Sequence, residues 1–355
     1  MSFEPTPKKL IETVTEEIFR ESSVAAGKWR GAGRKFFVKG TSGYVDNLLP
    51  VNDLSVRQAV CAANERLGGT RPVELWDVGC ANGRALYQLM RTVHQYENID
   101  VIGKGWAGNE SEFLKNAPVH GTFEKKGNAY LFTYKIADSS GNTANQSIEY
   151  SVGDIHKLES NSRPDVIMSM ACIKYSHDPW KIFSNLCRLL RPNGQLYVGH
   201  LVSGTGSRAS RQPIYDKNQR EITPREYVDA LVELNPGISA VSNEDFNRKV
   251  SNEENELVYN HPDFYARDVA LNAYRQKLIE SRKNAEGNEK AELDKELLRV
   301  SGNGFFNVSL NKGADSELFF GLLYVGKQYG EKTEYLFVPD KKEFERLLSK
   351  GFVAV

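Results

Sequence analysis

Between residues 73 and 202 the chain alternates short apolar runs with amphipathic stretches. VELWDVG, NIDVIGKG, SIEYSVGD, DVIMSMA and GQLYVGHL are short and rich in β-branched and aromatic residues, and predict strands. NGRALYQLMRTVHQY and PWKIFSNLCRLLRPNG space their apolar residues three to four apart and predict helices, the second closed by Pro192 and Gly194. Strands and helices in this order predict βαβ units, hence an α/β fold with a doubly wound, Rossmann-like sheet. One segment breaks the rhythm. VHGTFEKKGNAYLFTYKIAD, within 118–138, reads as a β-hairpin turning at KKGN and projecting from the sheet's edge.

The flanks read differently. In residues 1–70, PKKLIETVTEEIFRES sets Leu10, Ile11, Val14, Ile18 and Phe19 on one helical face. The Gly-rich, basic GKWRGAGRKFFVKGTSGY follows, and VRQAVCAANERLGG reads as a helix stopped by Gly68 and Gly69. Residues 203–300 are polar and read as mostly helical. Thr223 and Pro224 start one helix, and a long run of opposite charges four apart forms another, or two helices broken near Gly287. In 301–355, GFFNVSL and LFFGLLYVGK read as a closing antiparallel hairpin of the core, and TEYLFVPDKKEFERLLSKGF adds a strand and a helix.

Composition narrows the function classes. The 355 residues suit two domains or one with large extensions. Lysine plus arginine and aspartate plus glutamate both number 46, so the chain lacks the global basic excess of a nucleic-acid binder. Mean hydropathy is −0.49 and no stretch approaches a membrane span. The N-terminus has no apolar secretory core. Cys61, Cys80, Cys172 and Cys187 have neither disulfide-framework nor metal spacing, so free thiols and a cytoplasmic location are expected.

The chemistry concentrates in residues 73–90, VELWDVGCANGRALYQLM. An apolar strand runs through Asp77 to Gly79 and Gly83, and a helix begins at once. Glycines at such a turn let backbone approach a ligand, and the helix N-terminus presents N–H groups to it. A dinucleotide site would want no acid just before the first glycine. Asp77 suits a ligand carrying an ammonium group, although an acid here can also simply cap the turn.

This segment resembles motif I of class I S-adenosylmethionine-dependent methyltransferases, an acid followed by GxGxG, with Ala81 in place of the middle glycine. SVGDIHKL is similar to the family's third-strand motif. Residues 164–201 resemble its fourth strand, helix, L-R-P-G-G turn and fifth strand. The resemblance implies a seven-stranded sheet with an antiparallel last strand, a core over 71–202, and S-adenosyl-L-methionine as cofactor. It makes Asp77, Gly79, Cys80, Ala81, Gly83 and Ile155 cofactor-binding residues, gives Asp154 the adenine amino group, and places Met170 in the pocket lining. The family's second-strand acid for the ribose is missing. The corresponding position lies near Gly105, and Asn109 or Glu110 from the next loop would have to replace it.

The resemblance further implies in-line transfer of a methyl group to a nucleophile held in an enclosed site. His177 is the candidate general base and Tyr175 a candidate substrate contact, both following the fourth strand in IKYSHDP. His156, His177 and His200 share one rim, but no acidic pair demands a metal and none is expected. The N-terminal segment, with Tyr44 as a candidate lid residue, the hairpin and the 203–300 region would cover a small molecule or a protein side chain. The same cover could form a homodimer surface. The competing readings are a catalytically inactive methyltransferase-like binding or scaffold protein, favoured by the missing acid, and an NAD(P) oxidoreductase, disfavoured by Asp77.

Overall fold

The computed structural model describes residues 56–80, 83–108, 121–137, 143–170, 178–203, 212–247, 303–314, 317–327 and 333–355, with short pieces at 110, 113–114, 141, 172–173, 176, 280–282, 285–290 and 292–293. The expected first helix, the basic stretch, Tyr44 and most of the charged helix before residue 300 lie outside these residues.

Helix α1 (Val56–Leu67) ends where Gly68 and Gly69 take left-handed conformations. There follow β1 (Val73–Val78), α2 (Arg84–Glu97), β2 (Val101–Ala107), β3 (Thr122–Lys126), β4 (Ala129–Ala137) and β5 (Thr143–Val152). A single 3-10 turn, Ile155–Lys157, leads to β6 (Val166–Met170), α3 (Pro179–Leu189) and β7 (Gln195–Ser203). The remaining elements are β8 (Ile214–Tyr215), β9 (Glu221–Ile222), α4 (Pro224–Leu234), β10 (Ile238–Asn247), β11 (Asn303–Lys312), β12 (Leu322–Lys327), β13 (Thr333–Phe337), α5 (Lys341–Ser349) and β14 (Val353–Ala354).

The main sheet runs β10-β11-β7-β6-β1-β2-β5-β4-β3. Strands β7, β6, β1, β2 and β5 pair in parallel, and β11 is antiparallel to both β7 and β10. Strand β1 is buried along its whole length, as a central parallel strand covered on both faces must be. Alternation divides its side chains. Val73 and Leu75 pack with α1 and α2 on one face, and Trp76 and Val78 with α3 and α4 on the other.

Three expectations are corrected. The sheet has nine strands among the described residues rather than seven, because the hairpin β3–β4 does not project. Strand β4 pairs with β5 and extends the edge. The two apolar runs after residue 301 do not pair with each other. Strand β11 enters the main sheet, whereas β12 joins a second sheet of order β14-β12-β13-β8-β9. Neighbouring apolar runs mimic a hairpin in sequence, and pairing partners are chosen by tertiary packing. The 203–300 region is not mainly helical over 212–247. It holds the single helix α4, two short strands and the ten-residue edge strand β10, whose polar sequence ISAVSNEDFN hid it. An edge strand tolerates such composition because one side lacks a partner strand.

The second sheet is sandwiched. Leu322, Tyr324, Tyr335 and Phe337 join the core of α3 and α4. Leu323, Val325, Leu336 and Val338 turn the other way, against Phe344 and Leu347 of α5 and Phe352.

Candidate active site

The C-terminal ends of β1, β2, β5 and β6 converge where an open α/β sheet places its ligand crevice. Asp77 lies near the end of β1, opposite Gly105 of β2, and is buried. Loss of water pushes its carboxyl up to about 7, and no positive charge among the described residues offsets that burial. The turn after it is tightly held. The N–H groups of Gly79 and Cys80 both donate to the Trp106 carbonyl at 2.9 Å, and Gly83 N–H donates to the Cys80 carbonyl at 2.7 Å. Gly79 and Gly83 have φ of 83° and 72°, values that favour glycine.

Space around the turn gives the glycines a second reason. A Cβ on Gly79 would stand 2.2 Å from Cys172 Sγ, and one on Gly83 would stand 2.5 Å from the Tyr150 ring. The space into which a Cβ would project from these glycines is therefore occupied by Cys172 and Tyr150. Tyr150, buried on β5, also donates its hydroxyl to the Gly83 carbonyl at 2.8 Å. Burial, together with the charges of Cys80 and Asp77, pushes its phenol well up. Sequence reasoning passed over Tyr150. The available signal was an aromatic residue four positions before Asp154 in the third-strand motif.

Tyr150 also bears on the missing acid. A Cβ on Gly105 would stand 2.5 Å from the Tyr150 ring and 3.1 Å from Cys80 Sγ, so no larger side chain fits there. Asn109 lies outside the described residues. Glu110 is engaged with the hairpin. Its carboxylate accepts from Lys125 Nζ at 2.7 Å and from the Tyr130 hydroxyl, and these bonds hold it below the usual carboxylate range.

On the far side, Asp154 caps the 3-10 turn. Its Oδ1 accepts from the His156 backbone N–H at 2.9 Å and lies 2.7 Å from His156 Nδ1. Burial raises the Asp154 carboxyl, but the hydrogen bonds from His156 outweigh that and hold it below its ordinary value. Ile155 is buried beside it, Cys80 is buried in the turn, and Met170 is the last residue of β6. Ala81, Tyr175 and His177 lie outside the described residues, but their neighbours are placed. Ser176 and Asp178 are buried, and Asp178 caps α3 by accepting from Lys181 N–H at 3.2 Å. No three potential metal-ligating side chains come together among the described residues.

The strand order within the parallel part is β5-β2-β1-β6-β7, with the acid-and-glycine turn after β1. Residues 55–221 match the family model of a methyltransferase domain. The matched segment is thus similar to a methyltransferase domain. The match takes in just under half of the chain and leaves β10 to β14 outside the matched segment. No curated protein matches the chain. Several solved structures are similar at low identity. Phospholethanolamine N-methyltransferase 2 of Haemonchus contortus, in complex with phosphomonomethylethanolamine and S-adenosylhomocysteine, is 14% identical with a TM-score of 0.34. The alignment covers 72% of this chain and 52% of that one, so the chain spans about half the length of that relative. The plantazolicin methyltransferase BamL, in complex with a triazolic desmethylPZN analog and SAH, is 13% identical with a TM-score of 0.37, covering 84% and 99% of the two chains. The cyclase SpnF is 14% identical with a TM-score of 0.34, covering 73% and 81%.

The donor set of the methyltransferase domain fits a cationic, adenine-bearing cofactor. Asp77 is a buried acid whose burial no cation of the described protein offsets, at a strand-to-helix turn. Asp154 is an ionised acid with Oδ1 bonded to His156, and a carboxylate has acceptor capacity beyond one oxygen.

Proposed function

We propose that the protein is an S-adenosylmethionine-dependent methyltransferase acting on a small-molecule or protein nucleophile. The observation that carries this reading is Asp77. Keeping a buried carboxylate without a cation beside it costs stability, and an ammonium-bearing ligand would restore what burial removes. In this reading Asp77 takes the amino group of the methionine end, and the Cys80-to-Gly83 turn shapes that end of the pocket. Asp154 accepts from the adenine amino group, with Ile155 and Met170 forming apolar walls.

The cofactor, when bound, supplies an electrophilic sulfonium methyl. The chain's own part is to align a nucleophile with that methyl and to keep water out. A hydroxyl acceptor needs a base, a role we assign to His177, with Tyr175 touching the substrate. Gly105 and Tyr150 favour a second reading, a methyltransferase-like binding protein without turnover. The β2 site for a ribose-binding acid is filled by the Tyr150 ring.

Calorimetric titration with S-adenosylmethionine and S-adenosylhomocysteine tests the proposal. Binding of both by the wild type, with clear weakening in Asp77→Asn, is the expected result. A folded wild type that binds neither would overturn it. Binding without methyl transfer across a panel of amine, thiol and hydroxyl acceptors would favour the second reading.

A further inference from the structure

A hydrogen-bonded chain of buried and half-buried groups leads from Asp154 to the second sheet. His156 Nδ1 lies 2.7 Å from Asp154 Oδ1, and His156 Nε2 lies 2.6 Å from Ser176 Oγ. Ser176 Oγ receives the Asp178 N–H at 2.9 Å, and Gln212 Nε2 donates to the Ser176 carbonyl at 3.3 Å. The Asp178 carboxylate takes the Tyr335 hydroxyl at 2.7 Å and the Tyr324 hydroxyl at 2.6 Å. His156, Ser176, Asp178, Tyr324 and Tyr335 are all buried.

The donor and acceptor of each link follow from the groups involved. An ionised carboxylate only accepts, so His156 Nδ1 donates to Asp154. In the tautomer with its proton on Nδ1, Nε2 is an acceptor, which the Ser176 hydroxyl fills. The Ser176 oxygen in turn accepts from the Asp178 backbone N–H, and the Asp178 carboxylate accepts from two tyrosine hydroxyls. Turning the Asp154 carboxylate would cost the buried His156 Nδ1–H its bond to Oδ1.

We propose that His156 is a positioning residue for the adenine end of the methyl-donor site. It orients the Asp154 carboxylate and couples it, through Ser176 and Asp178, to Tyr324 and Tyr335 of the second sheet. The inference rests on the function proposed above. It gives strands β12 and β13, which lie beyond the matched methyltransferase segment, a part in holding the donor.

The test uses the full chain and two probes. S-Adenosylhomocysteine has both ends of the donor, whereas methylthioadenosine lacks the amino-acid end. His156→Leu should weaken both by about tenfold, the scale of one lost charge-assisted hydrogen bond. Asp77→Asn should weaken only S-adenosylhomocysteine. The Tyr324→Phe/Tyr335→Phe pair should weaken both probes several-fold, and add little in the His156→Leu background. Nitrogen NMR of the imidazole should find its proton on Nδ1. Ser176→Ala, which removes one hydroxyl and little volume, should shift the Nε2 signal and weaken both probes if His156→Leu does not fold. A wild type that binds both probes while His156→Leu or Ser176→Ala binds them equally well would overturn the inference and leave the proposed function standing. So would a proton found on Nε2. A wild type that binds neither probe would overturn both.

Discussion

At the scale of single residues, two aspartates near the same crevice are tuned in opposite directions. Asp77 is raised by burial, and Asp154 is held low by His156. The Asp77 shift has two consequences for pH. In the unliganded protein its folded pKa of about 7 exceeds the ordinary 3.8, so the stability linked to its proton is full below pH 3.8 and is lost as pH rises through 7. Urea unfolding of the unliganded protein should show this decline, at most about 4 kcal/mol, and Asp77→Asn should remove it. An ammonium ligand prefers the ionised form. Affinity for S-adenosylhomocysteine should therefore climb with pH, approaching tenfold per unit below about 7 and levelling above it, with a flat profile in Asp77→Asn. Asp77, Gly79 and Gly83 were legible in the sequence because an acid and two glycines between a strand and a helix form a local signal. Tyr150 was not. Its place over Gly83 and Gly105 comes from the register of β5 on β2, which sets Tyr150 opposite Gly105.

At the scale of elements, turns and caps decide how firmly the site is held. Gly83→Ala would have to displace the Tyr150 ring while adopting a left-handed backbone, so it should abolish donor binding or folding together. Tyr150→Phe keeps the ring and loses only the bond to the Gly83 carbonyl, and should cost about 1 kcal/mol in chemical denaturation. Helix α3, whose N-cap is Asp178, is closed at its other end by a strand residue. Lys312, the last residue of β11, donates its Nζ to the carbonyls of Leu190 at 3.0 Å and Cys187 at 3.3 Å. A buried ammonium at a helix C-terminus satisfies orphan carbonyls and complements the helix dipole. Burial lowers its pKa, with the nearby charge of Arg163 acting the same way. Lys312→Met keeps the stem and removes the donor, and should destabilise the protein by about 1–3 kcal/mol in urea unfolding. The hairpin β3–β4 was legible from its turn and alternating pattern. Strand β10 was not, because its ten residues carry few apolar side chains and its partner β11 begins more than fifty residues further on.

At the scale of the whole molecule, one core joins the two sheets. Trp180 and Phe183 of α3 and Tyr227 of α4 belong to the same cluster as Val308 and Leu310 of the main sheet and Tyr324, Tyr335 and Phe337 of the second. Tyr227 sits at the junction, its ring 4.8 Å from that of Trp180 and 5.4 Å from that of Phe337, with its hydroxyl donating to the Phe320 carbonyl at 3.0 Å. Tyr227→Ala should cost about 3–5 kcal/mol, the range for losing a large buried aromatic residue, and should lower the melting temperature in a single calorimetric transition. Two separate transitions would show that the second sheet folds on its own. By itself the sequence determined the alternating strands and helices of 73–202, the turn at Asp77–Gly83, and the motifs whose order matched a methyltransferase. Each of these depends on periodicity or on residues close together in the chain. Only the tertiary structure decided that β11 and β12 belong to different sheets, that Tyr150 fills the space beside Gly105, and that Asp178 is bonded to tyrosines 146 and 157 residues away. These features are choices of partner between distant segments, settled by which apolar faces and buried polar groups satisfy one another, and no local pattern encodes them.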